Sequence, residues 1–357
     1  MRVRLEDVCE KESSKLKQSD VIDQNGLYPV YGASGYLGSI NTYQQSNYYV
    51  AVVKDGAGIG RTMLLPPKSS IIGTMQYLMP KDNVHPEYLY YVVKAKHLEK
   101  YFSGATIPHI YFKDYKNEQF DLVSFEKQRD IINRLKKIEI IIDSLSKILV
   151  LLDELVRARF VEMFGDPVDN PMNWKKKKLK DIVTEDCTIS YGIVQTGEDQ
   201  KEGIPVFRPV DIVNHTPKVE ELKKTTEFIS DRYKKTLLKG HELLITVRAN
   251  IADTFIADKE FMGCNVGRGI VPIRTQEDIM RLEFLKCLID NKHLNDILKS
   301  KAKGITLIQL NMEDLRNVEL IIPPIDLQID YLKYSRLIDK SRLLSNHSLF
   351  LIKSIIF

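Results

Sequence analysis

The sequence predicts an α+β fold built from two tandem copies of one mixed α/β domain, with two long helices. Three observations lead to this prediction. Segments of the first half recur in the same order in the second half, each half begins with short β-rich runs, and a heptad pattern of apolar residues follows each half. With 357 residues, 43% hydrophobic and 28% charged, the chain is typical of folded domains of ordinary size.

The internal repeat is clearest in one helical segment. Residues 87–98 and 283–294 share Glu, Leu, Lys, His and Leu at an offset of 196 (283 − 87). Downstream, Gln128 and Gln328 match at an offset of 200 (328 − 128), and Leu5 matches Leu179 upstream at 174 (179 − 5). The offset only grows along the chain, as expected if the second copy has a few loop insertions. The sequence therefore predicts an internal repeat with pseudo-twofold symmetry.

Each copy follows the same plan, in which strands precede a helix. The runs that read as strands are β-branched or aromatic and are bounded by turn residues. They are Tyr48 to Val53 and Ile71 to Met79 in the first copy, and Glu242 to Val247 and Gly269 to Ile273 in the second. In the first copy we expect a helix that begins at Pro86 and ends before Gly104. A Gly-x-Thr segment and a further strand-like run follow.

A long helix follows each copy. Between Glu126 and Phe164 the apolar spacing alternates four and three, which predicts a coiled-coil seam. The seam comprises Ile131, Leu135, Ile138, Ile142, Leu145, Leu149, Leu152 and Val156. The second helix, 326–357, keeps Ile338, Leu349, Ile352 and Ile356 but is interrupted by Ser335, Arg342 and Ser345. A shifted stripe of Leu337, Leu344 and Leu351 competes with this seam. We expect this second helix to be an imperfect partner that lacks the last turns of the first.

These patterns divide the chain into five segments. They are a first mixed α/β domain (1–125), a central helix (126–164), a turn-rich linker (165–173), a second mixed α/β domain (174–325) and a C-terminal helix (326–357).

Composition narrows the class of protein. The cysteines Cys9, Cys187, Cys264 and Cys287 are scattered, so neither a disulfide framework nor a structural zinc site is expected. No apolar run reaches the length of a membrane span, and we expect a cytoplasmic protein. The net charge of +4 is compatible with a nucleic-acid partner but is weak support for one.

Two patterns typical of catalysis are weak. Gly56, Gly58 and Gly60 form GxGxG rather than a dinucleotide motif, and the second copy has Arg248, Asn250 and Ala252 at the aligned positions. Asp211, Glu221 and Lys223 match the loose carboxylate–carboxylate–lysine pattern of Mg²⁺-dependent nucleases, which arises easily by chance. A stand-alone nuclease and a structural coiled-coil adaptor stay open as alternatives. We expect no catalytic residues and no metal or cofactor on this chain.

Residue types suited to DNA occur between the strands of both copies. Arginine can bond two acceptors on guanine, and asparagine two groups on adenine. The candidate DNA-binding residues are Tyr31, Ser34, Lys54, Arg61 and His109 in the first copy, and Lys175, Lys176, Arg208, Arg248, Asn250 and Arg268 in the second. The frame recurs while these residues differ, so we expect the two copies to bind different sequences.

The sequence resembles the specificity subunits of type I restriction–modification enzymes over essentially its whole length. The segments that support this resemblance are Tyr28 to Gly35, Asn265 to Gly269, the segments near the end of each domain that begin at Gly104 and Gly304, Leu320 to Gln328, and the linker from Phe164 to Pro167 with Asn170, Pro171 and Trp174. The end of the first domain departs from the family pattern, because it has Leu122-Val-Ser-Phe125 where the second copy has Ile322-Pro-Pro-Ile325.

The resemblance implies two target-recognition domains that each read one half of a bipartite DNA site, with antiparallel coiled-coil helices setting the spacer. It also implies that two methyltransferase subunits bind the helices and that restriction subunits join them. S-adenosylmethionine, ATP and Mg²⁺ would then belong to these partners. We assign partner binding to the helices at Leu135, Ile142, Leu149, Ile338 and Ile352.

Overall fold

The computed structural model describes residues 1–22, 24–104, 108–212, 217–304 and 308–356. Thr106 and Thr306, the threonines of the two Gly-x-Thr segments, lie outside the described residues. Contacts group the chain into two compact units, with Met1–Ile148 and Ser345–Phe357 in unit 1 and Leu149–Leu344 in unit 2. Each long helix contributes residues to both units.

Unit 1 is a mixed α/β unit in which most strands precede the helices. Its strands are β1 (Arg2–Arg4), β2 (Cys9–Ser13), β3 (Tyr28–Gly32), β4 (Gly35–Ile40), β5 (Tyr49–Val53), β6 (Thr62–Leu65), β7 (Ser70–Ile71), β8 (Met75–Pro80) and β9 (Gln119–Asp121). Its helices are α1 (Leu5–Val8), α2 (Pro86–Lys94), α3 (Phe112–Tyr115) and the first part of α4 (Phe125–Phe164).

The largest sheet of unit 1 is built around β5, all of whose residues are buried. One sheet has the order β2-β8-β5-β6 and a second has the order β4-β3-β7. Side chains alternate along β5 because successive residues of a strand point to opposite faces. Val50 and Val52 pack with Leu89 and Val93 of α2, whereas Tyr49 and the other alternate residues pack on the opposite face.

Unit 2 follows the same plan. Its strands are β10 (Lys176–Lys178), β11 (Ile204–Phe207), β12 (Lys223–Thr225), β13 (Glu242–Thr246), β14 (Thr254–Ala257), β15 (Asn265–Val266), β16 (Ile270–Ile273) and β17 (Glu319–Ile321). Its helices are α5 (Pro209–Ile212), α6 (Glu227–Asp231), α7 (Leu282–Asp290), α8 (Lys292–Ser300), α9 (Met312–Arg316) and most of α10 (Ile325–Ile356).

Strand pairing confirms the internal repeat. In unit 1, β3 pairs antiparallel with β4 and parallel with β7. In unit 2, β11 pairs antiparallel with β12 and parallel with β15. The central strands β5 and β13 also have matching antiparallel neighbours, β6 and β8 in one unit and β14 and β16 in the other. The ribbons β1–β9 and β10–β17 complete the correspondence.

A buried glutamine near the start of each long helix bonds the residue that precedes a shorter helix, α2 in unit 1 and α7 in unit 2. Oε1 of Gln128 accepts a hydrogen bond from the backbone N–H of His85, 2.8 Å away, and Oε1 of Gln328 accepts one from Arg281 at 3.0 Å. Both side chains are fully buried, and their Nε2 groups donate to backbone carbonyls. Because an unbonded buried amide is costly, these two positions explain the glutamine shared by the repeats.

Two elements differ from the sequence predictions. The helix expected from Pro86 to Gly104 ends at Lys94, because His97 adopts a left-handed backbone (φ 49°). The run from Ile71 to Met79 contains two strands, β7 and β8, separated by a turn at Gly73 whose N–H donates to the carbonyl of Leu16, 2.7 Å away. The other predicted strands agree with the structure to within one residue.

The linker after α4 is tied to the helix end. Gly165 adopts φ 72°, which suits glycine at the residue after a helix. Nε1 of Trp174 donates to the carbonyl of Phe164 at 3.0 Å, and the side chain of Asn170 bonds both backbone groups of Trp174. These contacts give the turn-rich segment a defined path into unit 2.

Within unit 2 the end of α4 packs antiparallel against the start of α10. Phe164 contacts Tyr331 (ring centroids 5.6 Å apart), the Arg159 guanidinium lies over the ring of Tyr334, and further along Asp153 pairs with Arg342 at 2.6 Å.

The predicted seam residues are the less exposed side chains of both helices. Leu135, Ile142, Leu149 and Ile352 are half-buried and Ile338 is buried. The competing stripe of Leu337, Leu344 and Leu351 is exposed, so it does not form the seam. In the described part of the chain, no helix is both long and apolar enough to cross a membrane.

Candidate nucleic-acid interface

In unit 1 the chain at the end of β5 is bonded to the segment that begins at His109. Ser103 and His109 are joined by reciprocal backbone hydrogen bonds of 2.8 Å. The carbonyl of Lys54 accepts a hydrogen bond from the N–H of Ile110 at 2.9 Å. Nδ1 of His109 lies 2.6 Å from Oδ1 of Asp55, and Nζ of Lys54 lies 3.8 Å from Oδ2. Lys54, Asp55 and His109 thus form one cluster.

The turn between β3 and β4 is bonded to Arg61, whose backbone carbonyl accepts a hydrogen bond from the N–H of Val53 at the end of β5. Nη1 of Arg61 donates to the carbonyl of Ala33 at 2.7 Å, and Ser34 follows in the same turn. The ring of Tyr31, at the start of the turn, meets the ring of Tyr36 edge-on at 6.2 Å, and burial raises the pKa of the Tyr31 hydroxyl. The structure therefore brings the predicted residues of the first copy to one end of unit 1.

In unit 2 three strand ends converge in the same way. The N–H of Val247 donates to the carbonyl of Gly269 at 2.8 Å, and the N–H of Gly267 donates to Phe207 at 2.8 Å. A Cβ added to Gly269 would lie 2.5 Å from Pro209 Cγ and 3.4 Å from Arg248 Cβ, so only glycine permits this close approach. The predicted residues Arg208, Arg248 and Arg268 flank these bonds.

The arginines of this group differ in their bonding. Arg208 is held by Asp211, with Nε–Oδ2 and Nη2–Oδ1 distances of 3.1 and 2.7 Å, and this bond raises the pKa of the guanidinium. The guanidinium groups of Arg248 and Arg268 form no ion pair or hydrogen bond with the described residues. Arg248 and Arg268 are therefore better placed to bond an external acceptor.

The loop after Arg248 holds the remaining predicted residue. Asn250 is exposed, and its backbone carbonyl accepts a hydrogen bond from the hydroxyl of Thr246. Its neighbours Ala249 and Ala252 both have φ of 62°, a left-handed conformation that is strained for alanine.

The hydrogen-bond register corrects the alignment of this loop by one residue. Asp55 forms a backbone β-bridge with His109 in unit 1, and Arg248 forms one with Gln309 in unit 2. Arg248 therefore corresponds to Asp55 rather than to Gly56. The positive-φ residues then also match, Gly56 with Ala249 and Gly60 with Ala252. Both units thus have a left-handed backbone at these two positions, and unit 2 adopts it with alanine where unit 1 has glycine.

The lysine run lies on another part of unit 2. Lys176 belongs to β10, and its Nζ donates to the carbonyl of Val168 in the linker at 2.9 Å. The carbonyl of Lys175 accepts a hydrogen bond from Ile322 at 2.7 Å. Within the described residues no hydrogen bond or ion pair joins Lys175 or Lys176 to Arg248 or Arg268, so we treat the basic run as a separate group.

Three residues of these clusters were not predicted. Asp55 is acidic and was not among the candidate DNA-binding residues. Gln309 occupies the position of His109, and its Nε2 donates to the hydroxyl of Tyr191. The repeat offset of 200 (309 − 109) would have identified Gln309, whereas no sequence pattern points to Tyr191.

The carboxylates of the nuclease pattern serve other contacts. Asp211 holds Arg208, Glu221 lies 3.6 Å from Lys218, and Nζ of Lys223 donates to the carbonyl of Gly197 at 2.7 Å. Neither Asp211 nor Glu221 belongs to the group of described residues whose ligand atoms come within range of one metal ion.

That group consists of Asp166, Asp169 and His293, whose ligand atoms lie within 4.8 Å of one another. The sequence had offered no such spacing. Burial opposes ionisation of Asp166, but backbone N–H groups of Asp169 and Val168, together with His293, outweigh it and lower the pKa of Asp166. Its Oδ1 already faces these donors, so the group is satisfied as a contact between the linker and α8.

A model of the type I restriction modification DNA specificity domain matches the chain twice, over residues 1–153 and 171–341. The specificity subunit of the type I restriction enzyme EcoBI of Escherichia coli is 27% identical over 158 residues, 44% of this chain and 33% of that subunit. The MjaIX specificity subunit of Methanocaldococcus jannaschii is 26% identical over 281 residues, 69% of this chain and 61% of that subunit. The matches thus span less than two thirds of both relatives.

Two solved structures have a similar fold. The S subunit of a type I restriction–modification system from M. genitalium superposes with a TM-score of 0.59 at 14% identity, covering 100% of this chain and 93% of that one. A chain from a structure concerned with complex assembly and conformational transition of the type I R-M system gives a TM-score of 0.65 at 16% identity, covering 100% and 95%. At these identities the similarity supports the fold alone.

Proposed function

The chain belongs to the type I restriction modification DNA specificity family, and from this membership we propose that each of its two units reads one half of a bipartite double-stranded DNA site. The reading residues are those that converge at the strand ends, Arg248, Asn250 and Arg268 in unit 2 and Lys54, Arg61 and His109 in unit 1. Phosphate contacts from lysine and arginine supply affinity that falls with salt, and contacts with base edges supply discrimination.

One observation carries this proposal. The same backbone bridge occurs in both units, but its side chains differ, Asp55 with His109 in one and Arg248 with Gln309 in the other. A conserved frame that presents different hydrogen-bonding groups is what two readers of different sequences require. Arg248 is the sharpest case, since an unpaired guanidinium can bond O6 and N7 of one guanine.

We further propose that catalysis belongs to partner subunits. Two methyltransferase subunits that bind S-adenosylmethionine would methylate adenine, and restriction subunits would use ATP and Mg²⁺ to cleave, while this chain directs both. Exposed apolar side chains of the long helices, such as Ile140, Ile141 and Leu344, offer surfaces for such partners. Leu135 and Ile142, which are half-buried, present less surface for such a contact than these exposed residues do.

Mapping of methylated adenines tests the proposal. The chain is co-expressed with the methyltransferase subunits of its system, and methylated sites are sequenced in cells with and without it. A bipartite motif should appear only with the chain. Replacing Arg248 by Gln should change one half of that motif, whereas the exposed Arg232→Gln variant should leave both halves unchanged. A motif that stays the same in the Arg248 variant contradicts the assignment of Arg248.

The same material tests the alternatives. Cleavage of DNA by the purified chain with Mg²⁺ alone would favour the nuclease that uses Asp211, Glu221 and Lys223. If no motif is methylated and mixed-sequence DNA is not retained by the complex, the chain is a structural adaptor.

A further inference from the structure

Residues 109 and 309 occupy one structural position in the two units. His109 is bonded to Ser103 through reciprocal backbone hydrogen bonds of 2.8 Å, and Gln309 is bonded to Lys303 in the same way at 2.9 Å. Each also bridges the residue at the end of the central strand, Asp55 or Arg248. Each precedes a buried residue, Ile110 or Leu310, whose N–H donates to the carbonyl of the first residue after the central strand. The backbone is therefore held in the same place twice, while the side chain differs.

In unit 1 the partner of His109 determines which ring nitrogen has the proton. The carboxylate of Asp55 is an acceptor only, so the Nδ1 atom that lies 2.6 Å from it must donate. In the neutral ring Nε2 is then an acceptor. The His109 side chain is 36% exposed and forms no other side-chain hydrogen bond with the described residues, so this acceptor is available outside the protein.

In unit 2 a different element has the same effect on Gln309. The ring of Tyr191 packs against the core, and its hydroxyl accepts a hydrogen bond from Nε2 of Gln309. This bond fixes the amide so that Oε1 is left as the acceptor, and Oε1 has no partner among the described residues. Two unrelated contacts, with Asp55 in unit 1 and with Tyr191 in unit 2, thus leave an unbonded acceptor atom at the same position.

We propose that His109 and Gln309 are equivalent specificity-determining positions, and that each accepts a hydrogen bond from the exocyclic amino group of one base in its half-site. Adenine N6 and cytosine N4 are the amino groups exposed in the major groove. Asp55 and Tyr191 are positioning residues, which keep the acceptor directed at the base. This inference rests on the proposed function and adds which chemical group is recognised and by which atoms.

Methylated-adenine mapping with the intact complex tests it. His109→Ala should relax one base of one half-site, and Gln309→Ala should relax one base of the other. Discrimination at that base, measured as methylation of consensus sites over sites with one base changed, should fall about tenfold to a hundredfold. Each variant is the control for the other, since the opposite half must stay unchanged. If both variants keep the wild-type motif at every base, the proposal is wrong.

A conservative variant tests the acceptor chemistry. Gln309→Glu keeps an acceptor and removes the donors, so it should retain selection for a base with an amino group even if total methylation falls. If Gln309→Glu relaxes the same base as Gln309→Ala, a donor rather than an acceptor is required, and the proposal fails.

The positioning role has its own readout. Asp55→Asn and Tyr191→Phe should relax the same bases as His109→Ala and Gln309→Ala, respectively, whereas Asp82→Asn, in an exposed turn of unit 1, should relax none. A loss of methylation at all sites without any change of motif would mean that Asp55 and Tyr191 serve stability only, which contradicts the positioning role. Failure of the proposed function itself is distinct, because the wild-type complex would then give no bipartite motif.

Discussion

Ala249 adopts a φ of 62°, in the same left-handed region as its unit 1 counterpart Gly56, whose φ is 92°. The two units therefore impose one backbone conformation on two residue types. Glycine enters this region without strain, whereas a residue with a Cβ pays about 1–2 kcal/mol. The strain is accepted in unit 2 directly beside Arg248, at the position that we assign to base recognition.

This relationship predicts the effect of Gly56→Ala. Nothing lies within 4 Å of a Cβ built on Gly56, so only the backbone conformation opposes the change, and we expect the free energy of unfolding to fall by about 1–2 kcal/mol. Gly58→Ala is the matched control, since its φ is not positive and its Cβ would meet Arg61 at 3.7 Å, an ordinary contact. Thermal unfolding of both variants is the measurement, and equal midpoints would count against the assigned conformation.

An aromatic cluster anchors α4 in unit 2, and Phe164 lies at its centre. Phe164 is fully buried, with its ring centroid 4.8 Å from that of Phe284 and 5.6 Å from that of Tyr331. Phe164→Ala should cost about 3–5 kcal/mol, because it removes a large buried side chain and leaves a cavity. Val161→Ala, on the exposed face one turn earlier, should change stability by less than about 0.5 kcal/mol. Chemical denaturation separates the two, and similar midpoints would show that the cluster is not formed.

Acid should weaken unit 2 through Asp186. The pKa of Asp186 is lowered most by a hydrogen bond from Lys239 and next by one from Thr184, which together outweigh the opposing effect of burial. The positive charge of Arg274, 3.5 Å away, lowers it further. A carboxyl whose pKa is lowered by folding stabilises the fold above its unfolded pKa, about 3.9, and loses that contribution as the pH falls below it. Asp186→Asn should therefore lower the unfolding midpoint at pH 7.

The difference between Asp186→Asn and the unaltered chain should shrink as the pH falls below about 4. Asp231→Asn removes a carboxylate from an exposed pair with Lys234 and provides the control, with little effect at either pH. Thermal midpoints measured between pH 3 and pH 7 follow both variants. A constant difference for Asp186→Asn across that range would contradict the assigned cause.

Much of the fold could be predicted because the sequence contains an internal repeat. The matched pair Gln128 and Gln328 predicted a common frame, and the structure gives both the same buried hydrogen bonds. The helix end at Lys94 was missed because it depends on the left-handed backbone of His97, a residue type that does not require it. The split of the run after Ile71 likewise depends on tertiary contact, namely the bond between Gly73 and Leu16.

The candidate site was predictable in composition but not in pairing. Arg248 and His109 belong to residue types suited to DNA, so composition identified them. Asp55 is acidic and Tyr191 is distant in sequence from Gln309, so only the folded chain shows that each holds the residue at the shared position. The sequence alignment also placed the loop after β13 one residue out of register. It did so because this loop is one residue shorter in unit 2 than in unit 1.

The central claim is that the two units read two different half-sites, and one exchange tests it most directly. Residues 174–325 are replaced by the corresponding segment of another member of the family, and methylated adenines are sequenced in cells that contain the methyltransferase partners. One half of the bipartite motif should then change to that of the donor while the other half is retained. A change in both halves, or in neither, would contradict it.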